Sequence, residues 1–257
     1  MDTGLEGKNV LVPGSSSGIG LAIATALAAE GANVVLAARR GELVAAEAAK
    51  LPSAVGVEID MSDDGAPATL VAEAQKAFGP VDVLVLNSGG PPPGTAAGVD
   101  DEQVMAAVHQ LLVQHQRLTS LVLPGMRERG WGRIVAVGSS GIQSPLPNLA
   151  LSNIGRAGLA GYLKTLAAEV AADGVTVNMV LPGRIDTDRV GTIDANAAKR
   201  TGRSAEEVRA ESMASIPAGR YGSPDEFAAA VTFLASAPAS YITGEQLRCD
   251  GGMVRAY

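Results

Sequence analysis

The sequence predicts an α/β fold: a single domain with a doubly wound parallel sheet of about seven strands, flanked by helices. Three observations predict it. Short β-type apolar runs alternate with longer Ala-rich runs of helical length, a glycine-rich loop joins the first strand to the first helix, and glycines punctuate the helix ends. Alternation of this kind reads as repeated βαβ units, whose parallel strands are covered on both faces.

The elements follow in order. Residues 9–12 form the first apolar run, and residues 21–30, LAIATALAAE, the first helix, closed by Gly31. Residues 33–37 and 54–59 supply the next two strands, with helix-forming residues 42–50 between them. A third helix over 67–78 ends at Gly79-Pro80, ahead of a fourth strand at 81–86. Gly130 precedes the fifth strand, 133–137, and Gly174 follows a helix over 159–172 and introduces the sixth, 175–180. A seventh run lies at 245–248. Glycine recurs at these helix ends because it adopts the left-handed cap conformation freely. Residues 184–222 break the rhythm. They are polar and rich in charge, and they predict a lid with one or two helices around 195–213, entered from Asp194 or Ser204 as N-caps.

Composition narrows the function classes. The chain is 47% hydrophobic and 18% charged, enough apolar content for a sizeable core and against wholesale disorder. Its 27 acidic against 20 basic residues give a net charge of −7 without a basic run, which argues against nucleic acid and anionic membranes as partners. The single Cys249 cannot form an internal disulfide, and no cysteine-based metal site can be built. No signal-peptide pattern opens the chain and no apolar run suits a spanning helix, so a cytoplasmic protein is expected.

Residues 13–20 read Pro-Gly-Ser-Ser-Ser-Gly-Ile-Gly and run straight into an apolar helix. Glycines there allow a tight turn, and the free N–H groups and dipole of the helix start favour a phosphate. The spacing is Gly-x-x-x-Gly-x-Gly, with Gly14, Gly18 and Gly20. With this loop the expected sheet is of Rossmann type.

On these residues the chain resembles the short-chain dehydrogenase/reductase family, and within it the 3-oxoacyl-acyl-carrier-protein reductases. Further matches are Asp60-Met61, Asn87-Ser88-Gly89-Gly90, the run from Gly132 into Ser139, Lys164-Thr165-Leu166, Pro182-Gly183 and Tyr241-Ile242-Thr243-Gly244. The resemblance implies that Gly14, Ser16, Ser17, Gly18, Ile19 and Gly20 hold a diphosphate. It further implies that Asp60 and Met61 edge an adenine, and that Asn87, Ser88 and Gly89 line the adenosine and ribose. Pro182, Gly183, Ile185 and Thr187 would close over a nicotinamide and its phosphate. One departure is Pro13, where the family has Thr; proline lacks an N–H, so one loop hydrogen bond is lost.

The second strand is followed by Arg39-Arg40 instead of an acidic residue. An acid would bind a ribose 2′-hydroxyl, whereas arginine accommodates a 2′-phosphate, so NADP(H) is favoured over NAD(H), with Arg39 as its contact. The plain alternative is a pair of solvated charges ahead of a helix.

The family's chemistry uses Asn, Ser, Tyr and Lys, the last two as Tyr-x-x-x-Lys on one helix face. No tyrosine here has a lysine four residues on: Tyr162, Tyr221 and Tyr241 are followed there by Leu166, Asp225 and Glu245. The resemblance puts Ser152 at the tyrosine position, Arg156 at the lysine position and Leu111 at the asparagine position. Ser139 alone is retained, thirteen residues before Ser152. An aliphatic hydroxyl is a far weaker acid than a phenol, and arginine stays charged, so the family's proton relay is not available. Ser139, Ser152 and Arg156 are the candidate catalytic groups, with Arg156 also against the nicotinamide ribose. Ser140, Gln143, Asn148 and Asn153 are neutral candidates for binding a carbonyl. His109, His115, Tyr162 and Cys249 read as structural, and residues 91–94, Pro-Pro-Pro-Gly, as a stiff rim.

The leading expectation is an atypical NADP(H)-dependent oxidoreductase acting on a carbonyl or alcohol, of 3-oxoacyl type on acyl carrier protein or coenzyme A. The competing readings are a non-redox isomerase, dehydratase or cyclase reusing the pocket, and an inactive cofactor-binding subunit. The resemblance also implies a homotetramer or homodimer, with residues 104–126 and 149–172 at one interface and 244–253 at another.

Overall fold

The computed structural model describes residues 2–255. Seven parallel strands, β1 (Asn9–Pro13), β2 (Asn33–Ala38), β3 (Ala54–Glu58), β4 (Val83–Leu86), β5 (Gly132–Val137), β6 (Val175–Pro182) and β7 (Gln246–Cys249), form one sheet in the order β3-β2-β1-β4-β5-β6-β7. The chain builds outward from β1 in one direction, then returns to lay β4 beside β1 and builds the other way. That reversal puts a crevice beyond the carboxyl ends of β1 and β4, where ligands bind in such sheets.

Strand alternation sorts the core into two layers. Leu11, Leu84 and Leu86 point to one face, where they meet α3 (Ala66–Phe78), α5 (Gln114–Glu128) and α6 (Ala150–Val170). Val10, Val12, Val83 and Val85 point to the other, against α1 (Gly18–Ala29), α2 (Gly41–Ala48) and α9 (Pro224–Ala235). Leu11, Leu84 and Phe227 are fully buried, and each such side chain contributes roughly 1.5–3 kcal/mol.

Gly31, Gly79, Gly130 and Gly174 all have positive φ at their turns, as the sequence predicts. The local pattern marks a helix over 159–172, and the resemblance extends it to about 149. The structure starts it at Ala150, so Ser152 and Arg156 lie within its first two turns. The long helix the resemblance implies around 104–126 is present as α4 (Asp101–Val108) and α5, joined by a π-turn at His109–Val113.

The polar segment 184–222 carries two helices, α7 (Asp188–Thr201) and α8 (Ala205–Ala214). Ser204 caps α8 in a reciprocal capping box with Glu207, as predicted. Asp194 is not a cap. It lies inside α7, whose N-cap is Thr187, and is buried, accepting from Arg184 Nη1 at 3.1 Å and the Tyr221 hydroxyl at 2.8 Å. Arg209 pairs with both oxygens of Asp186, so α8 is tied to the base of its own loop. Of the expected domain span 1–257, residues 1, 256 and 257 lie outside the described residues.

Candidate active site

The glycine loop leaves β1 and enters α1 under tight main-chain constraint. Gly14 and Gly18 have φ of +65° and +59°, and a Cβ on Gly20 would run into the Gly14 carbonyl. Fully buried Ser15 donates to the Val12 carbonyl at 2.6 Å and accepts from Ala37 N–H, pinning the loop to β2. Across the switch point, the Asn87 amide donates to the carbonyls of Pro13 and Gly14 at 3.0 and 3.1 Å. Asn87 is therefore a loop brace, and Ser88 beside it has a buried hydroxyl with no hydrogen-bond partner among the described residues.

Helix α1 has no side-chain cap at Ser17 and no acidic residue in its first turn. Its leading N–H groups and dipole are left for an anion. Arg40 Nη2 donates to the hydroxyls of Ser16 and Ser17 at 3.1 and 3.0 Å, holding a guanidinium over this loop. Arg39 is exposed, and its charge adds to the lowering of the Asp60 carboxyl. The larger causes are the main-chain and side-chain hydrogen bonds from Ser62. Met61 is half-buried against the core. Sequence reasoning named Arg39 as the contact; both arginines are exposed, and it is Arg40 that bonds to the loop serines.

The β6 loop closes the other wall. Gly183 packs against Asp250, where a Cβ would approach within 2.7 Å of its Cα. Ile185 has its side chain in the core, pairs with Gly222 in a β-bridge and accepts from the Thr187 hydroxyl through its carbonyl. Thr187 faces Gly18, its Cγ2 3.6 Å from where a Cβ would stand, bringing the start of α7 against the glycine loop. These features fit a dinucleotide with a 2′-phosphate: a cradle that side chains would fill, an uncapped helix start, an orphaned hydroxyl at Ser88 and a cation at Arg40.

At the ends of β5 and α6 the candidate catalytic groups assemble. Ser139 Oγ accepts from Gly141 N–H at 3.0 Å, which leaves its own proton to donate. Ser152 is half-exposed, and its hydroxyl makes no hydrogen bond among the described residues. One helical turn on, Arg156 is buried and donates from Nη1 to the Val137 carbonyl at 2.6 Å. Burial and then the charge of Arg189 lower its guanidinium to about 10, which leaves it cationic at neutral pH. Leu111 sits in the π-turn, fully buried against Gly155 between Ser152 and Arg156.

The other candidates have structural work. Gln143 accepts from Arg248, Asn153 donates to the Leu146 carbonyl, Asn148 holds a turn at φ +58° and Ser140 is buried. His109 pairs with Asp64 on the surface. His115 is buried with Nδ1 2.9 Å from the Leu111 carbonyl, and burial holds it neutral, at about 4. Burial raises both the Cys249 thiol and the Tyr162 phenol. The rim at Pro91 to Gly94 is fixed to α6 through Gly94 N–H to Asn148 O and Ala150 N–H to Gly94 O. Arg189, which no sequence signal beyond its charge marked, reaches over Gly90 with Nη1 3.3 Å from the carbonyl oxygen.

Comparison with known proteins bears on this geometry. The sequence model of the Enoyl-(Acyl carrier protein) reductase family matches residues 14–254. The 3-oxoacyl-(acyl-carrier-protein) reductase FabG of Escherichia coli K12 is 37% identical over 251 residues, covering 96% of this chain and 98% of that protein. This chain belongs to the short-chain dehydrogenase/reductase family. Among solved structures, L-sorbose reductase from Gluconobacter frateurii, complexed with NADPH and L-sorbose, is 33% identical with a TM-score of 0.94 over all of both chains. YwfH, an NADPH-dependent reductase involved in bacilysin biosynthesis, is 30% identical with a TM-score of 0.92, covering 97% of this chain and 99% of that one. The short-chain dehydrogenase/reductase family is one of nicotinamide-dependent oxidoreductases.

Proposed function

We propose that the protein is an NADP(H)-dependent oxidoreductase that interconverts a carbonyl and an alcohol, with the family's serine retained as Ser139 and with Ser152 and Arg156 in place of its tyrosine and lysine. The observation that carries this reading is Arg40 on the hydroxyls of Ser16 and Ser17, at the mouth of an uncapped helix start. The FabG relatives, named for 3-oxoacyl groups on acyl carrier protein, and the NADPH complex of L-sorbose reductase support it.

NADPH, when bound, supplies the hydride. Gly14, Gly18, Gly20 and the first turn of α1 would hold its diphosphate, Arg40 its 2′-phosphate, and the loop of Ile185 and Thr187 the nicotinamide end. Ser139 donates from Oγ to the substrate oxygen, and the Arg156 cation stabilises the negative charge that builds there. A phenol with pKa near 10 is within reach of neutral-pH proton transfer, but the Ser152 hydroxyl is not. The proton therefore comes from water admitted past half-exposed Ser152, or from the substrate itself. Residues 184–222 act as the lid, the assembly is a homo-oligomer, and a cytoplasmic location belongs to the same reading.

A second reading, a non-redox isomerase or dehydratase, is favoured by one feature: a neutral hydroxyl pair beside a fixed cation. NADPH oxidation over a panel of ketones, sugars and 3-oxoacyl thioesters separates the two. Transfer of deuterium from 4-deuterated NADPH to product supports the reductase, whereas turnover that persists without nucleotide supports the second reading.

A further inference from the structure

Arg156 has few partners for its depth. It is 9% exposed, donates one hydrogen bond to the Val137 carbonyl, and forms no ion pair with any described residue. The buried titratable group beside it, His115, is neutral and brings no counter-charge. A buried cation without an anion is expensive to maintain, so its neighbourhood is informative.

The nearest help from the lid is another cation. Arg189, in the first turn of α7, lies against Gly90 and also has no carboxylate partner among the described residues. The two charges repel, and Arg189 is one of the two causes that lower Arg156. They project from neighbouring parts of the crevice: Val137 ends β5, Gly90 follows β4, and these strands pair side by side. The lid thus brings a second positive charge toward the first, an arrangement an anion between them would relieve.

The adjoining space has a different character. A cavity of about 270 Å³ is bounded by Pro91, Pro93, Gln103, Gln110 and Leu151, with no charged residue in its lining. Pro91 follows Gly90 and Gln110 donates to the Gly89 carbonyl, so the cavity adjoins the loop that Arg189 covers. A ligand with an anionic head and a neutral body matches this division of charge.

We infer that Arg156 and Arg189 clamp a carboxylate of the substrate, so that the protein acts on an oxo acid and its hydroxy acid. This deepens the reductase reading and rests on it for the reacting carbonyl. Planar guanidiniums suit carboxylate, which they bind through paired N–H groups.

The test is a calorimetric titration of the NADP⁺-loaded protein with pyruvate, 3-oxobutanoate, 2-oxoglutarate and phenylglyoxylate, each beside its methyl ester. At least one acid is expected to bind about tenfold more tightly than its ester, the size of one charged hydrogen bond. Arg189→Gln, at an exposed position, is expected to abolish that preference while changing NADPH affinity by less than about twofold. A panel in which no acid exceeds its ester overturns the clamp. So does an Arg189→Gln protein that loses NADPH affinity but keeps the acid preference, since the cation would then serve the nucleotide. If the wild-type protein binds no NADPH, the reductase reading fails separately. The acid–ester comparison on nucleotide-free protein then decides the clamp alone: a preference lost in Arg189→Gln supports it, and none overturns it.

Discussion

Arg156 Nη1 donates to the Val137 carbonyl oxygen at 2.6 Å, tying the α6 cation to the end of β5 two residues before Ser139. In this position it fixes a positive charge beside the proposed reaction centre without supplying a proton.

That arrangement predicts the pH profile of turnover. Arg156 is cationic below about 10, His115 is neutral above about 4, and burial raises the Tyr162 phenol. NADPH-dependent kcat/KM is expected to vary by less than about threefold between pH 6 and 9. A sigmoid with a midpoint near pH 7 to 8 would reveal a titrating acid that the account lacks.

Arg40 is the proposed reader of the 2′-phosphate. Arg40→Ala is expected to weaken NADPH by about 10- to 100-fold, the size of a charge-assisted hydrogen bond, and leave NADH affinity nearly unchanged. Arg39→Ala, which removes no hydrogen bond to the loop serines, should cost less than about threefold. Dissociation constants for both nucleotides check this, and the reverse ranking would restore Arg39 as the contact.

Ser139 is the proposed donor to the substrate oxygen. Ser139→Ala is expected to lower kcat by about 100-fold, as loss of one such donor does. Because Ser139 Oγ also accepts from Gly141 N–H, stability should fall by about 1 kcal/mol. Equal activity of Ser139→Ala and the wild-type protein would remove Ser139 from the chemistry.

His115 predicts an acid sensitivity. Its folded-state pKa, about 4, lies below the ordinary 6.5, so the unfolded chain binds the extra proton first. Stability is therefore intact above pH 6.5 and lost as pH falls toward 4, by about 2 kcal/mol between pH 7 and 5. Urea midpoints at the two pH values, compared with His115→Gln, isolate this contribution. An equal loss in the variant would assign the sensitivity to other groups.

The strands and the glycine loop were legible because each rests on a local pattern. Alternation in residues 9–12 and 83–86 divides the core layers, and Gly14, Gly18 and Gly20 answer steric demands read from spacing alone. The start of α6 was less legible because Leu149-Ala150-Leu151-Ser152 carries no side-chain cap to announce it. Asp194 was misread as a cap because an aspartate before a helical run looks the same whether it faces N–H groups or, as here, Arg184 and Tyr221 from distant positions. Arg40 on the serines and Arg189 over Gly90 depend on side-chain direction and on long-range folding, which no window of sequence contains.

The account stands on nucleotide binding at the glycine loop, and calorimetric titration of the purified protein with NADPH, with NADH as control, tests it most directly. Micromolar or tighter binding of NADPH, at least about tenfold tighter than NADH, is the expected result. No detectable binding of either nucleotide would contradict it and leave the site to a non-redox or structural role.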